Sequence, residues 1–294
     1  ITAGECVGVV GESGSGKSVT FQSVMGLIKP PGRIERGRIF FDGQDLTSLD
    51  ATAYRDIRGR QIAMPLQDAL TSLNPAFTVS EQVMETLMAH GLAKSAAAAR
   101  DRALELFRLV GIPAAESRLD DYPHQFSGGM RQRIMIAIAL ACEPRLLIAD
   151  EPTTALDVTI QAQVLALIER LRRELGMAVV IITHDLGVVA EYCDRVVVMY
   201  AGRIVESATT ATLIDAPQHP YTQGLLRSIP DLDALDRPIR PIPGQPPDMT
   251  RREAGCSFRP RCPHAEARCT APVPLTPTSD DHHVRCVLAG EAAR

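Results

Sequence analysis

The octet Gly11-Glu12-Ser13-Gly14-Ser15-Gly16-Lys17-Ser18 follows directly on the apolar run Val7–Val10. Glycines around a lysine and a hydroxyl, set between a short strand and a helix, are the pattern of a phosphate cradle. Gly11, Gly14 and Gly16 permit backbone conformations that turn successive N–H groups toward one anion. A helix starting near Lys17 adds its positive dipole end. In that setting Lys17 bridges the β- and γ-phosphates of a nucleotide and Ser18 ligates Mg²⁺. Further along, Leu146-Leu147-Ile148-Ala149 runs into Asp150-Glu151. A charge ending a buried strand is costly, so Asp150 is expected to face Mg²⁺ through water and Glu151 to aim the attacking water. Together, and in this order, the two motifs imply a nucleotide triphosphatase.

The rest of the chain is compatible with that chemistry. Its 294 residues allow one large α/β domain plus something smaller. A net charge of −4 has the wrong sign for a nucleic-acid binder. The apolar stretch from Ile134 to Cys142 is far short of the ~20 residues of a membrane span. Nothing at the start resembles a signal peptide, so a cytoplasmic chain is expected. The opening Ile1-Thr2-Ala3-Gly4-Glu5 enters the first strand almost at once, which reads as truncation.

Apolar spacing predicts a helix from Lys17 to about Leu27, a strand Arg38–Phe41 and a strand Gln61–Gln67 distorted by Pro65. Val79–His90 and Ala96–Val110 read as helices lying between the two nucleotide motifs. After Leu146, strands and helices alternate: a helix Thr159–Leu175, a strand Ala178–Ile182, a short helix near Leu186–Glu191 and a strand Arg195–Met199. This alternation implies a mainly parallel sheet with helices on both faces. Ala201-Gly202 then turns the chain into Arg203–Glu206 as a terminal hairpin.

A third motif, Ser127-Gly128-Gly129-Met130, opens a long apolar helix and forms a second helix start able to meet an anion. Alone it is equally a simple cap. The order of motifs is more specific: Gln67 after a strand, Ser127-Gly128-Gly129, Asp150-Glu151, Ala155-Leu156-Asp157, and Thr183-His184-Asp185 after the next strand. This series resembles the ATP-binding cassette (ABC) ATPases over about residues 1–230. The resemblance implies an α/β P-loop NTPase core with a helical subdomain at about 75–140. It makes Gln67 the glutamine contacting Mg²⁺ and relaying to a transmembrane subunit. Ser127, Gly128, Gly129 and Met130 become the signature for ATP held by an opposite subunit. Asp157 becomes the D-loop residue between the two sites, and His184 the contact to γ-phosphate. Glu12, Ser13 and Ser15 join the nucleotide-binding set with the loop.

The stretches Gln67–Pro75, Tyr122–Arg133 and Pro217-Gln218-His219-Pro220-Tyr221-Thr222 resemble the ATPases of bacterial dipeptide, oligopeptide and nickel importers, with the signature of the D-type member. The resemblance implies Mg-ATP as cofactor, a paired ATPase subunit in a heterodimer, two transmembrane permease subunits and an indirect solute-binding protein. Such a subunit lies on the cytoplasmic side of the inner membrane. A DNA-repair cassette would carry a long coiled coil or zinc module between the motifs, and a translation-associated one would have two cassettes in one chain.

Seven cysteines are unevenly placed. Cys6, Cys142 and Cys193 sit among apolar neighbours and read as core. Cys256, Cys262, Cys269 and Cys286 cluster in residues 231–294, and eleven of the 21 prolines lie from Pro230 to Pro277. So much proline makes a regular helical or sheet domain unexpected there, and four thiols in a reducing compartment suggest a metal. The same subgroup carries a Pro/Cys-rich C-terminal extension able to hold a [4Fe-4S] cluster; zinc and an unmetallated tail remain open. Arg251, Arg252, Arg259, Arg261 and Arg268 either offset a cluster's charge or form a solvated face.

Overall fold

The computed structural model describes residues 1–65, 72–153, 156–229, 241–250 and 254–289. In chain order its elements begin with strand β1 (Cys6–Val10), helix α1 (Lys17–Val24), strands β2 (Phe40–Phe41) and β3 (Gln44–Asp45), helix α2 (Ala51–Ile57) and strand β4 (Ile62–Ala63). Helices α3 (Val79–Ala89), α4 (Ala96–Leu109), α5 (Ala115–Arg118) and α6 (Gly128–Leu140) come next. Strands and helices then alternate as β5 (Leu146–Asp150), α7 (Val158–Leu175), β6 (Ala178–Ile182), α8 (Leu186–Tyr192), β7 (Arg195–Tyr200) and β8 (Arg203–Thr209). The chain closes with α9 (Thr210–Asp215), α10 (Pro220–Arg227), β9 (Thr276–Ser279) and β10 (His282–Val284). The contacts divide it into two compact units, one of Ile1–Glu5 with Val19–Ile181, the other of Cys6–Ser18 with the residues from Ile182 onward.

In the first unit the strand order is β4-β5-β6. Strands β4 and β5 run parallel, with Ile62 opposite Leu146 and Ala63 opposite Leu147. All five residues of β5 are buried, as in a strand covered on both faces. The helices α3, α4 and α6 pack on one another. Thr78 and Glu81 close a reciprocal capping box on α3, and Ser95 caps α4 by accepting from Ala98 N–H. Each cap is worth about 1 kcal/mol. On α7 the inward stripe is Val164, Leu165, Leu167, Ile168 and Leu171. Each such side chain contributes ~1.5–3 kcal/mol by leaving water. The stripe stops short of the helix end, since Leu175 is exposed.

The second unit holds a mixed sheet in the order β1-β7-β8-β10-β9. Strand β1 pairs parallel with β7, from Val7 opposite Arg195 to Val10 opposite Val198. Strands β7 and β8 form an antiparallel hairpin turned at Ala201 and Gly202, both at positive φ. The cysteines expected in the core are there: Cys6 and Cys193 are buried with sulfurs 3.8 Å apart, and Cys142 is buried in the first unit.

Several sequence expectations change. Helix α1 stops at Val24, short of Leu27, and β2 keeps only Phe40–Phe41 of the strand expected from Arg38. Strand β4 is just Ile62–Ala63; of the rest of the expected strand, Met64 and Pro65 are not in it, and positions 66 and 67 lie outside the described residues. The hairpin after β7 is not terminal, because β10 pairs antiparallel with β8 and β9 with β10. The proline-rich tail therefore does supply sheet. Pro277 lies on β9, the edge strand, the place in a sheet where proline is tolerated.

Candidate functional site

The loop after β1 is shaped around its glycines. Gly11, Gly14 and Gly16 have φ of 153°, 77° and 96°. At Gly11 space is as limiting as conformation: a Cβ would lie 2.2 Å from the Met199 carbonyl at the end of β7. Ser15 N–H donates to the Glu12 carbonyl at 3.1 Å, and the hairpin turn closes on the loop through Gly202 N–H to the Ser15 carbonyl at 2.8 Å. Lys17 is buried at the head of α1 and its Nζ donates to the carbonyls of Gly11 at 2.7 Å and Glu12 at 3.1 Å. The ammonium thus lies folded across the loop, with Ser18 beside it in sequence at the positive end of the helix. A buried cation among oriented N–H groups is a site for a polyanion.

His184 stands exposed just beyond β6. Its neighbour Thr183 donates N–H to the Val9 carbonyl at 3.1 Å, which sets this strand end beside the exit of β1 in the same unit. Asp185 caps α8 by accepting from Gly187 and Val188 N–H.

The first unit carries the acids and the second helix start. Asp150 ends β5 and is buried, and Glu151 follows at φ 48°. A glutamate in left-handed conformation costs about 1–2 kcal/mol, and such strain concentrates at functional sites because the surrounding structure must hold it. Ser127 caps α6 by accepting from Met130 N–H at 3.4 Å and is itself exposed. Gly129 has a packing reason: a Cβ there would meet Ile160 Cγ2 at 2.5 Å. The start of α6 therefore lies against the first turn of α7, which Asp157 caps by accepting from Ile160 N–H at 2.9 Å. The structure thus brings Ser127, Gly128, Gly129 and Asp157 together. Gln67 and Ala155 lie outside the described residues.

The set that holds Glu12 was missed in the sequence reading. Its N–H donates to the Tyr221 hydroxyl at 2.8 Å, and its carboxylate is gripped by both arms of Arg261, at 2.7 and 2.9 Å. Arg261 is buried and paired, so it is neither a solvated residue nor one assigned to the cysteines. The Glu12 carboxylate raises its pKa further. Burial also raises the Tyr221 phenol, which keeps its proton. Behind Tyr221, the fully buried Glu206 accepts from Gln218 N–H at 2.7 Å and His219 N–H at 3.0 Å, with His282 Nε2 at 2.7 Å. His219 Nδ1 in turn accepts from Tyr221 N–H at 3.0 Å and caps α10. Burial pushes the His219 pKa down to about 4, so the ring is neutral. The signal available in the sequence was the run Gln218-His219-Pro220-Tyr221, polar residues with no exposed-helix pattern around them.

Cys256, Cys262, Cys269 and Cys286 line one narrow cavity together with His219 and Phe258. Cys256 N–H bonds to the Cys269 carbonyl at 2.9 Å, and Gly255 leaves room for that carbonyl, which a Cβ would meet at 2.1 Å. Burial raises the thiols of Cys256, Cys262 and Cys286, and at Cys286 the other three add to the effect. Among the described residues no three such side chains converge closely enough to hold a single metal ion.

The comparisons with known proteins agree with this geometry. Residues 1–154 match the family model described as ABC transporter. The chain belongs to the ABC transporter family. Residues 205–269 match the oligopeptide/dipeptide transporter C-terminal region, which spans Tyr221 and Arg261. The chain is 51% identical over 292 residues to the dipeptide transport ATP-binding protein DppD of Bacillus subtilis, covering 99% of this chain and 87% of that one. DppD of Escherichia coli is 49% identical, with 97% and 88% covered, and the oligopeptide transport ATP-binding protein OppD of Bacillus subtilis is 50% identical, with 97% and 80% covered. Among solved structures, a dimeric ATP-binding cassette in a post-hydrolysis state bound to ADP and Pi has a TM-score of 0.62 at 32% identity, covering 71% of this chain and 87% of that one. The CbiO1 cassette of Clostridium perfringens has a TM-score of 0.63 at 30% identity, covering 74% and 81%. This ABC chain has the α/β cassette fold. Among its described residues no helix is long and apolar enough to cross a membrane.

Proposed function

We propose that this chain is the ATP-hydrolysing subunit of a bacterial ABC importer of dipeptides or oligopeptides. The observation that carries the reading is the loop Gly11–Ser18, with Lys17 buried across it, in a chain about half identical to peptide-transport ATP-binding proteins over nearly its whole length. Lys17 and the loop N–H groups hold the β- and γ-phosphates. Ser18, Gln67 and Asp150 serve Mg²⁺, Glu151 aims the water, and His184 faces the γ-phosphate. Ser127, Gly128, Gly129 and Met130 meet the nucleotide of a partner ATPase across a sandwich, with Asp157 between the two sites. ATP favours the closed pair because both halves hold it there and only one half holds it in the open state, and closure moves the two permease subunits. A nickel or related small-solute importer is the same machine with other membrane subunits.

In this reading residues 1–230 form the cassette, with a helical subdomain at about 75–140, and 231–294 an extension, at the cytoplasmic face of the inner membrane. The four cysteines around one cavity have the donor chemistry of a [4Fe-4S] group. The cavity they share is what supports this reading, with zinc as the alternative occupant. Such a group would tie the extension's segments together where hydrophobic burial is sparse.

The test is reconstitution of this chain with its paired ATPase, permeases and binding protein in vesicles. ATP-dependent uptake of a labelled dipeptide, lost with Glu151→Gln, is the expected result. Uptake of no peptide, with ATPase activity indifferent to the permeases, overturns it.

A further inference from the structure

The phosphate loop carries an acid where it is about to receive an acid. Glu12 is the second residue of the Gly11–Ser18 loop, so its carboxylate adds negative charge beside the place proposed for a triphosphate. That charge is met by Arg261, which comes from the far end of the chain and is almost wholly buried, at 4% side-chain exposure. The guanidinium takes both carboxylate oxygens at 2.7 and 2.9 Å, and its Nε donates to the Pro243 carbonyl at 2.9 Å. Tyr200 and Phe258 flank it, each ring centroid 5.9 Å from the guanidinium carbon. The same rings pack with Tyr221, whose hydroxyl accepts from Glu12 N–H. Glu12 is thus held by its side chain, by its N–H and, through its carbonyl, by Lys17 Nζ.

We infer that Arg261 is a positioning residue for nucleotide binding: it cancels the Glu12 charge and fixes the loop through that carboxylate. This rests on the reading of Gly11–Ser18 as the ATP site. A buried fork-to-carboxylate pair gives both charge and orientation, which an ammonium cannot reproduce. Without Arg261 the carboxylate stands uncompensated in a partly buried place, and its repulsion of a polyanion is strong where water screens it least. The C-terminal extension then acts on ATP binding directly, through one side chain adjacent in sequence to Cys262.

The experiment is calorimetric titration of the full chain with Mg-ATP at low and at physiological ionic strength. Arg261→Ala should raise Kd about tenfold, and more at low salt, where the uncompensated charge is felt furthest. Arg261→Lys should fall between. In the double variant Glu12→Gln with Arg261→Ala, the repulsion is gone and Kd should return to within about threefold of the parent. A residue that only supports the fold gives neither the salt dependence nor that rescue. Equal Kd for the parent and Arg261→Ala at both salts, or a double variant weaker than Arg261→Ala, overturns the inference. Should Arg261→Ala not fold, Arg261→Lys and Glu12→Gln decide: the inference stands if Lys weakens binding and Gln does not weaken it more, and falls otherwise. Lys17→Ala is the control for the parent reading. If it binds Mg-ATP as tightly as the parent, the ATP assignment fails and takes this inference with it; if it loses binding while Arg261→Ala does not, only the role of Arg261 fails.

Discussion

Helices α1 and α6 both begin at glycine-rich turns, and both present a positive dipole end, yet they are furnished differently. The start of α1 has a nest of turned N–H groups, a buried lysine across it and a second tier of residues gripping Glu12. The start of α6 has an exposed serine cap and two glycines packed toward α7. The first has a cation and turned N–H groups of its own to set against a phosphate. The second offers a hydroxyl, some N–H groups and a dipole, a contribution of about 1 kcal/mol that matters only when a nucleotide is delivered to it. A helix start alone is weak; the surrounding chemistry decides whether it is a site or half of one. Helix α10 is a third case, its start capped by the buried His219 ring and its first turn buried.

The largest effect should come from neither helix. Glu151→Gln in the assembled transporter should lower turnover about a thousandfold while Mg-ATP affinity holds, since the amide keeps the shape but cannot take a proton. Retained turnover would remove Glu151 from the chemistry. Next, Lys17→Ala should weaken Mg-ATP binding to the isolated chain about a hundredfold, because the charge facing the phosphates is lost from a buried place. Unchanged affinity would erase the distinction drawn between α1 and α6.

The distinction was half legible beforehand. Strands β5 and β6 stand where unbroken apolar runs put them, because a strand buried on both faces advertises itself locally. The loop was legible for the same reason: its glycines, lysine and serine are neighbours in sequence. What was hidden depends on distance along the chain. Arg261 is separated from Glu12 by 249 positions, and no periodicity links them. Strand β9 reads Thr-Pro-Thr-Ser and is mostly exposed, so it has no hydrophobic alternation to show; it exists because β10 is there to pair with. Helix α1 ends at Val24 although Met25 and Leu27 continue its apolar pattern, and Gly26 at φ 60° turns the chain away, with its position pressed against Tyr54. Local pattern predicts elements well and predicts their stopping points and partners poorly.

The closed helix start makes a pH prediction of intermediate size. Burial holds the folded-state pKa of His219 at about 4, against an ordinary value of 6.5. As pH falls, the unfolded chain takes up the proton first, so stability is intact above about 6.5 and drains away toward about 4. Protonation would also put a charge at the positive end of α10 and remove the Nδ1 acceptor from Tyr221 N–H. Between pH 7 and pH 5 the loss should be about 2 kcal/mol, read by denaturant melts. His219→Asn, which keeps a cap acceptor, should flatten that slope. The same slope in parent and variant would show that another group titrates.

The smallest effect is also the sharpest test of the contrast between α1 and α6. Ser127→Ala removes one hydroxyl from the α6 start, where it accepts from Met130 N–H. The loss of the cap costs about 1 kcal/mol of stability, small enough to leave the chain folded. If the α6 start serves only a nucleotide bound by a partner, Mg-ATP affinity of the isolated chain should not move. Turnover of the assembled pair should fall about tenfold, as expected when a neutral hydrogen bond to a phosphate is lost from a closed site. The two measurements separate the alternatives cleanly. A parallel fall in affinity of the isolated chain would mean that Ser127 acts on the chain's own nucleotide, and the two helix starts would then belong to one site rather than to two halves of different ones.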